Sequence, residues 1–301
     1  MKKVLITGAN SYIGTSFENW TIENCPEEIS CTTIDMQDSI WRETSFAGFD
    51  CIFHVAGIAH ADVGKVSAEE QKRYYEVNCD LAVECAKKAK AEGVGQFLYM
   101  SSIIVYGESA GVGKEKVITK DTPLAPANFY GDSKKKAEEG LLPLNDASFK
   151  VVLLRPPMIY GKGSKGNFPL LVRLADKLPI FPDVKNQRSM LYIKNLCSFV
   201  QLLIQHRDSG IFYPQNEEYV STARMVALIA KVKSKKLRMT KALNFALLLA
   251  GKMPGKIGGL TNKAFGNLVY DKNISYYKEP YCQYSLEESI QDIFGSRQTE
   301  E

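Results

Sequence analysis

The chain has 301 residues, of which 45% are hydrophobic and 24% are charged, and its formal net charge is +4 at pH 7. This composition is that of an ordinary globular protein, long enough to bury a core without disulfides or metals. A mild positive charge without an arginine-rich stripe and interleaved aromatics gives no sign of nucleic-acid binding. No segment has the roughly twenty apolar residues that a membrane span needs.

Cysteines and histidines give no sign of a covalent or metal framework. The seven cysteines form no CxxC pair, and several lie in apolar stretches, which is typical of small core residues in a reducing cytoplasm. The three histidines, at positions 54, 60 and 206, lack metal-ligand spacing. The apolar run after Lys3 is too short for a secretory signal. We therefore expect a cytoplasmic protein without a metal.

Short β-like runs alternate with helical patterns through the first half of the chain. Strands are predicted at 3–7, 30–35, 50–55, 96–101 and 150–155. Helices are predicted from about residue 13, from a capping box at 67–70 to about 92, around residue 130 as far as about 143, and from a second capping box at 285–288. This alternation predicts an α/β fold, a doubly wound parallel sheet with helices on both faces.

A glycine-containing turn, TGANSYIG, joins the first predicted strand to the first helix. Glycines at its two ends let the backbone turn tightly and approach a pyrophosphate that rests on the helix N-terminus. Ser11 stands where a third glycine is usual, so it either narrows the room for phosphate or offers it a hydroxyl. An ordinary strand–helix turn is the alternative. The residues assigned to a dinucleotide are Gly8, Asn10, Ser11, Tyr12, Ile13 and Gly14.

Asp35 supports that assignment. It ends the second strand, twenty-one residues after Gly14, where a carboxylate can accept both ribose hydroxyls of an adenosine. A carboxylate there repels the 2′-phosphate of NADP, and Met36 and Gln37 offer no arginine to bind one. The sequence therefore predicts NAD(H). A strand-end turn residue is the alternative interpretation.

Tyr130 and Lys134 are four residues apart on a predicted helix, so both can reach one small volume. A phenol is a poor base at neutral pH, but a neighbouring ammonium and an oxidised nicotinamide ring would stabilise its phenolate. Tyr130 would then exchange a proton with a substrate hydroxyl, and Ser102, at the end of the fourth strand, would orient the substrate oxygen. Alone, a YxxxK pattern is equally compatible with a surface helix.

Together these features resemble the extended short-chain dehydrogenase/reductase family, the group of nucleotide-sugar epimerases, dehydratases and reductases. The shared motifs are the glycine turn, the strand-end aspartate, HVAG at 54–57, SSIIVYG at 101–107, YGDSK at 130–134 and RPPMIYG at 155–161. The resemblance runs from Lys3 to about Leu196, and more weakly through 285–290. It implies a Rossmann fold, an enzyme and an NAD(H) cofactor.

The resemblance also implies roles for individual residues. Ser102, Tyr130 and Lys134 would be catalytic, and Lys134 would also hold the nicotinamide ribose. Ala56 and Gly57 would pass beside the cofactor, and Asn78 would either support that region or be an ordinary buried polar residue. The substrate-binding candidates are Ser102, Tyr130, Asn167 and Arg188, of which Arg188 would bind the nucleotide diphosphate. A homodimer formed through a four-helix bundle is implied by the helices at 67–92 and around Tyr130.

The resemblance narrows the reaction to two forms. The 4,6-dehydratases need an acid directly after the catalytic serine, and Ile103 and Ile104 stand there instead. A 4-keto reductase or a 4-epimerase remains. Segments 155–168 and 186–196 look like capsule and O-antigen reductases, which implies a UDP-linked 4-keto-6-deoxy-N-acetylhexosamine as substrate. A non-catalytic dinucleotide sensor is the remote alternative.

The second half of the chain is predicted to form a smaller substrate lobe. We expect residues 1–155 to form the NAD-binding Rossmann domain, with 187–213 returning to its sheet, and 156–186 and 214–301 to bind substrate. Residues 231–250 combine six basic residues with an apolar run. A membrane-surface helix is one interpretation, and a core-facing helix with a solvated basic rim is the one we favour.

Overall fold

The computed structural model describes residues 1–59 and 66–295, so His60 lies outside the described residues. The strands are β1 Lys2–Thr7, β2 Ile29–Ile34, β3 Cys51–His54, β4 Gln96–Met100, β5 Val117–Ile118, β6 Lys150–Leu154, β7 Met158–Tyr160, β8 Ile180–Pro182, β9 Met190–Tyr192, β10 Gly210–Phe212, β11 Arg238–Thr240 and β12 Val269–Tyr270. The helices are α1 Tyr12–Asn24, α2 Ile40–Glu43, α3 Ala68–Tyr75, α4 Leu81–Ala91, α5 Phe129–Leu141, α6 Phe168–Lys177, α7 Ile193–Gln205, α8 Thr222–Val232, α9 Asn244–Lys252, α10 Lys256–Phe265 and α11 Leu286–Phe294.

Over the described residues the central sheet has six strands in the order β10-β6-β4-β3-β1-β2. Every pairing in it is parallel. The chain begins inside the sheet, at β1, and places β2 on one side and β3 on the other. This reversal leaves a crevice at the carboxyl ends of β1 and β3, where ligands bind in open α/β sheets. The predicted doubly wound fold is confirmed.

Alternate residues of the central strands enter two hydrophobic clusters, one on each face of the sheet. Along β1, Val4 and Ile6 join one cluster and Leu5 joins the other. In β4, Leu98 and Phe97 divide in the same way. A sheet that is buried on both faces needs continuously apolar strands. For this reason the apolar runs KVLIT and QFLYM predict strands from the sequence alone. The core therefore holds the strand ends, and the loops that follow them, in fixed positions.

Both predicted capping boxes form. Ser67 Oγ accepts a hydrogen bond from the Glu70 N–H at 3.1 Å, and a Glu70 carboxylate oxygen accepts from the Ser67 N–H at 2.9 Å. The same reciprocal pair between Ser285 and Glu288 opens α11. The long helix expected over 67–92 is interrupted by a π-helical turn at Glu76–Asp80, between α3 and α4. Such turns are frequently found at functional sites.

In the described part of the chain that follows β6, one strand joins the central sheet. β10 pairs with β6 at one sheet edge, and it lies at the end of the segment 187–213 that we expected to return to the sheet. β9, in the same segment, pairs with β7 in a separate two-stranded sheet. Two further strand pairs, β11 with β8 and β12 with β5, lie outside the central sheet. The division into a Rossmann domain and a substrate lobe remains a prediction.

The core-facing helix favoured for residues 231–250 is wrong. Helix α9 has no buried residue, and the side chains of Phe245 and Leu249 are 69% and 50% exposed. The reason is that residues 245–250 are apolar in succession, so their composition resembles that of a core helix but does not show which face, if any, the rest of the fold covers. Among residues 1–59 and 66–295, no helix is both long and apolar enough to cross a bilayer.

Candidate active site

The glycine turn lies at the crevice between β1 and β3. Gly8 has φ +118°, and a β-carbon on it would stand 2.8 Å from the amide nitrogen of Ala56. The N–H groups of Gly8 and Ala9 donate to the carbonyl of Ile34, at 2.9 and 3.2 Å. The turn is therefore fastened to the end of β2 and pressed against the segment that follows β3. Only glycine fits at position 8, because any side chain would collide with backbone.

Ser11 caps helix α1. Its Oγ accepts a hydrogen bond from the Gly14 N–H at 3.1 Å, and a β-carbon on Gly14 would lie 2.6 Å from that oxygen and 2.9 Å from Ile6. Ser11 therefore occupies its oxygen within the helix, while its hydroxyl hydrogen can still be donated. The N–H groups of Tyr12 and Ile13, in the first helical turn, have no partner within the helix and suit an anion.

Tyr12 presents a buried hydroxyl beside Gly161. Within residues 1–59 and 66–295, neither this hydroxyl nor Ser164 Oγ has a hydrogen-bond partner. A β-carbon on Gly161 would stand 2.5 Å from the Tyr12 hydroxyl oxygen, and burial raises the pKa of this phenol. Buried polar groups are normally paired, so unpartnered hydroxyls beside the glycine turn fit a site that receives a polar ligand.

Asp35 follows the residue to which the glycine turn is fastened. Its side chain is exposed, and Oδ1 accepts a hydrogen bond from the Gln37 N–H at 2.9 Å. This local bond turns the chain at the end of β2 and leaves the second carboxylate oxygen, Oδ2, to accept from a ligand. Asn10, in the same crevice, adopts a left-handed conformation with φ +58°.

The segment after β3 meets helix α5 through Asn78. A β-carbon on Gly57 would stand 3.0 Å from Asn78 Oδ1 and 3.3 Å from Lys134 Nζ. Asn78 is fully buried; it accepts from the Ile58 N–H at 2.8 Å and donates to Ser133 Oγ at 3.1 Å. The Asn78 side chain thus links the segment after β3 to α5, and both of these hydrogen bonds are structural. Gly57 leaves a gap beside Lys134 that a ligand can enter.

Ser102, Tyr130 and Lys134 lie near one another beyond the end of β4. Asn128 caps α5 by accepting from the Gly131 N–H at 3.0 Å, which sets the helix that carries Tyr130 and Lys134. The Ser102 side chain lowers the pKa of the Tyr130 phenol, which places the two hydroxyls close together. Lys134 Nζ donates to the carbonyl of Met100 at 2.8 Å, at the end of β4. Two hydroxyls and one ammonium therefore face the crevice from two elements.

Burial controls the protonation of this group. It raises the pKa of Tyr130 to about 12, against a lowering by the Ser102 side chain, and it lowers the pKa of Lys134 to about 8. In the protein without a cofactor, desolvation of the phenolate therefore outweighs the other effects on the pKa of Tyr130. Nearby His54 is fully buried and neutral: burial and the Lys134 charge lower its pKa to about 3.

A buried ion pair beneath the site was not predicted. Arg155 Nε donates to Glu138 Oε1 at 3.0 Å, and Arg155 Nη1 donates to the Tyr106 hydroxyl at 2.6 Å. Glu138 also accepts a hydrogen bond from Ser101, the neighbour of Ser102. These bonds tie α5, β6 and the turn after β4 into one unit. The only signal in the sequence was that Glu138 lies four residues after Lys134, on the same helical face.

The two remaining substrate candidates lie in different settings. Asn167 is exposed directly before α6 and makes no capping bond, and the structure does not connect it to Tyr130. Arg188 donates through Nη1 to Ser109 Oγ at 3.2 Å and to the carbonyls of Lys263 and Gly266 at 3.0 and 3.1 Å. Burial lowers the pKa of Arg188 to about 10. In the part of the chain that the structure describes, no carboxylate pairs with this guanidinium, so its charge suits a phosphate.

Comparison with known proteins identifies this arrangement. The model of the NAD dependent epimerase/dehydratase family matches residues 4–215. The chain belongs to that family. The UDP-glucose 4-epimerase of Vibrio cholerae is 32% identical over 298 residues, which cover 92% of this chain and 89% of the relative.

Solved structures share the fold. The dTDP-4-dehydrorhamnose reductase of Bacillus anthracis, in complex with NADP, has a TM-score of 0.71 at 19% identity and covers 98% of this chain and 99% of its own. The UDP-glucuronic acid 4-epimerase of Bacillus cereus, in complex with NAD, has a TM-score of 0.70 at 16% identity, with coverages of 97% and 95%. This chain is therefore an enzyme of the epimerase and reductase class that uses a nicotinamide dinucleotide.

Proposed function

We propose that this enzyme oxidises or reduces C4 of a UDP-linked hexose with NAD(H), using Ser102, Tyr130 and Lys134. The observation that carries the proposal is the convergence of these three side chains beside Gly57 and the glycine turn. Family membership supports the cofactor, and the unpaired guanidinium of Arg188 supports a diphosphate-linked substrate. The bound dinucleotide supplies or accepts the hydride.

The proton is handled by the protein. In the reductive direction Tyr130, protonated because its pKa is raised to about 12, donates its hydroxyl proton to the C4 oxygen. Ser102 hydrogen-bonds the same oxygen and holds it beside the phenol. Lys134, whose pKa is about 8, carries its positive charge at neutral pH and stabilises the phenolate that remains. In the oxidative direction the same residues act in reverse.

As the direction of net reaction we propose reduction of a UDP-linked 4-keto-6-deoxy-N-acetylhexosamine, as in the synthesis of a polysaccharide precursor. Segments 155–168 and 186–196 support this substrate by their resemblance to 4-keto reductases. A buried, apolar Ile103 directly after Ser102 offers no acid for dehydration. The reductase should consume one NADH for each 6-deoxy product, measured by absorbance and by mass spectrometry.

A 4-epimerase is the second candidate, and a specific observation favours it equally. The Vibrio cholerae relative, which matches over nearly the full length of both chains, is a UDP-glucose 4-epimerase. An epimerase returns the hydride to the same carbon and needs no added cofactor. Interconversion of UDP-glucose and UDP-galactose, or of their N-acetyl counterparts, without net loss of NADH would replace the reductase with this function.

We further propose that the cofactor is NAD(H) and that the enzyme is a cytoplasmic homodimer. Asp35 supports the first point, since its free oxygen can accept ribose hydroxyls. Free thiols at all seven cysteines, all within the described residues, support a reducing compartment. The dimer would form through α3–α4 and α5, which pack together through Tyr75 and Asp132. Light scattering on the purified protein measures its mass and tests the dimer.

A further inference from the structure

The outer face of helices α9 and α10 is exposed and apolar. Of the fifteen exposed large hydrophobic side chains in the described residues, six lie within 18 residues of each other: Leu243, Phe245, Leu249, Met253, Ile257 and Leu260. Phe245 and Leu260 are 69% and 67% exposed. Phe245 and Leu249 are four apart on α9, and Ile257 and Leu260 are three apart on α10, so each helix presents one apolar stripe. We call these six side chains the hairpin surface.

The inner face of the same hairpin is anchored. Asn262 Oδ1 accepts from the Val112 N–H at 3.1 Å, and Asn262 Nδ2 donates to the Gly251 carbonyl at 2.9 Å. The carbonyls of Lys263 and Gly266, at the end of α10, accept from Arg188. The hairpin is thus held in place from one side, and its apolar stripes face away from the protein.

The sequence that contains the hairpin surface carries only positive charge. Residues 219–270 contain ten of the 38 Lys and Arg residues of the chain and none of its 34 Asp and Glu residues, so the rest of the chain has 28 basic and 34 acidic residues. Eight of the ten are exposed and make no ion pair within 4.0 Å of a carboxylate among the described residues: Lys231, Lys235, Lys236, Arg238, Lys241, Lys252, Lys256 and Lys263.

We propose that the hairpin surface docks on the face of an anionic lipid bilayer. Apolar stripes flanked by lysines match an interface in which acyl chains lie beneath negative headgroups. A second copy of the chain would bring two such positive surfaces together, and like charges in contact are repelled. A nucleic acid would satisfy the lysines through its phosphates but would leave Phe245 and Leu260 in water. The bilayer is the partner that satisfies both properties, and this inference does not depend on the reaction proposed above.

The test is co-sedimentation of the full chain with lipid vesicles. We expect binding to vesicles of phosphatidylcholine with phosphatidylglycerol, weakened by salt, and little binding to phosphatidylcholine alone. The double variant Phe245→Ser/Leu260→Ser should bind at least about tenfold more weakly. The variants Lys252→Ser and Lys256→Ser should each lose about fivefold. Ile22→Ser/Ile40→Ser is the matched control, because both side chains are exposed but lie outside the hairpin.

Three results would overturn the proposal. Thermal unfolding curves would first verify that every protein used is folded. Absence of binding to the anionic vesicles would then exclude a lipid partner. Equal binding by the Phe245→Ser/Leu260→Ser variant would show that the hairpin surface is not the contact. Self-association of the wild type that this variant abolishes, without vesicle binding, would assign the surface to a second copy. Loss of vesicle binding with unchanged turnover of a soluble UDP-sugar would separate docking from the chemistry.

Discussion

The Lys134 ammonium donates to the carbonyl of Met100 at 2.8 Å and so joins helix α5 to the end of strand β4. Ser102 follows Met100 by two residues, and Tyr130 precedes Lys134 by one helical turn. One hydrogen bond therefore sets the spacing between the two hydroxyls of the site. The positive charge of the buried Lys134 also lowers the pKa of His54 and so favours its neutral form.

Replacing Tyr130 with Phe should lower kcat by about 10²–10⁴-fold with the fold intact, because the ring remains and the proton donor is lost. Steady-state turnover of the UDP-sugar measures the change. Tyr75→Phe is a matched control, since its hydroxyl donates to Asp132 of α5 and not to Ser102, Tyr130 or Lys134, and it should keep near-normal activity. Near-normal turnover by Tyr130→Phe would remove this phenol from the mechanism.

Asp35 should determine the choice of cofactor. The unaltered enzyme should bind NAD(H) more tightly than NADP(H), because the 2′-phosphate would meet an unpaired carboxylate. Asp35→Ser should reduce that preference, as measured by fluorescence titration with each cofactor. Asp38→Ser, which removes a similar local bond to a backbone N–H at 2.9 Å, should leave it unchanged. Tighter binding of NADPH by the wild type would refute this role.

Glu138→Gln should destabilise the protein by about 3–5 kcal/mol, because it leaves the Arg155 charge buried without a counter-charge. The two side chains are only 1% and 5% exposed. The neighbouring Glu139→Gln changes an exposed pair with Lys135 and should cost at most about 1 kcal/mol. Urea unfolding of both variants measures the difference. Equal effects at the two positions would show that the buried pair is not important for stability.

His54 should make stability depend on pH. Its folded pKa is about 3, whereas the unfolded side chain titrates near 6.5, so the stability it contributes above pH 6.5 is lost as pH falls toward 3. The loss should approach about 1.4 kcal/mol per pH unit within that window. His54→Gln lacks the titrating group, so wild type should lose stability relative to this variant on acidification. Parallel unfolding curves from neutral pH to about pH 5 would contradict the assignment.

The sequence alone predicts the parts of the fold that depend on local features, such as apolar runs and helix caps. Strands of the central sheet are continuous apolar runs, so the sequence predicts them. Ser67 and Ser285 each begin a helix with a capping box, so the sequence predicts these two helix starts as well. The spacing of Tyr130 and Lys134 depends only on helical periodicity, and the helix formed.

Packing decided what the pattern could not show. Glu138 lies in the run KKKAEEG, where Glu139 and Lys136 are exposed and Glu138 is buried, and only the position of Arg155 separates them. The apolar run of α9 has the composition of a core helix, but none of its residues is buried. The raised pKa of Tyr130 likewise follows from burial, which no spacing reveals.

The order of the strands has a consequence for synthesis. After β1 and β2 pair, each later strand of the central sheet joins the same growing edge in the order in which it is made: β3, β4, β6 and then β10. A nascent chain leaving the ribosome can therefore lengthen the sheet one strand at a time without opening a pairing already formed. The two strands that flank the crevice, β1 and β3, are therefore paired while most of the polypeptide is still untranslated.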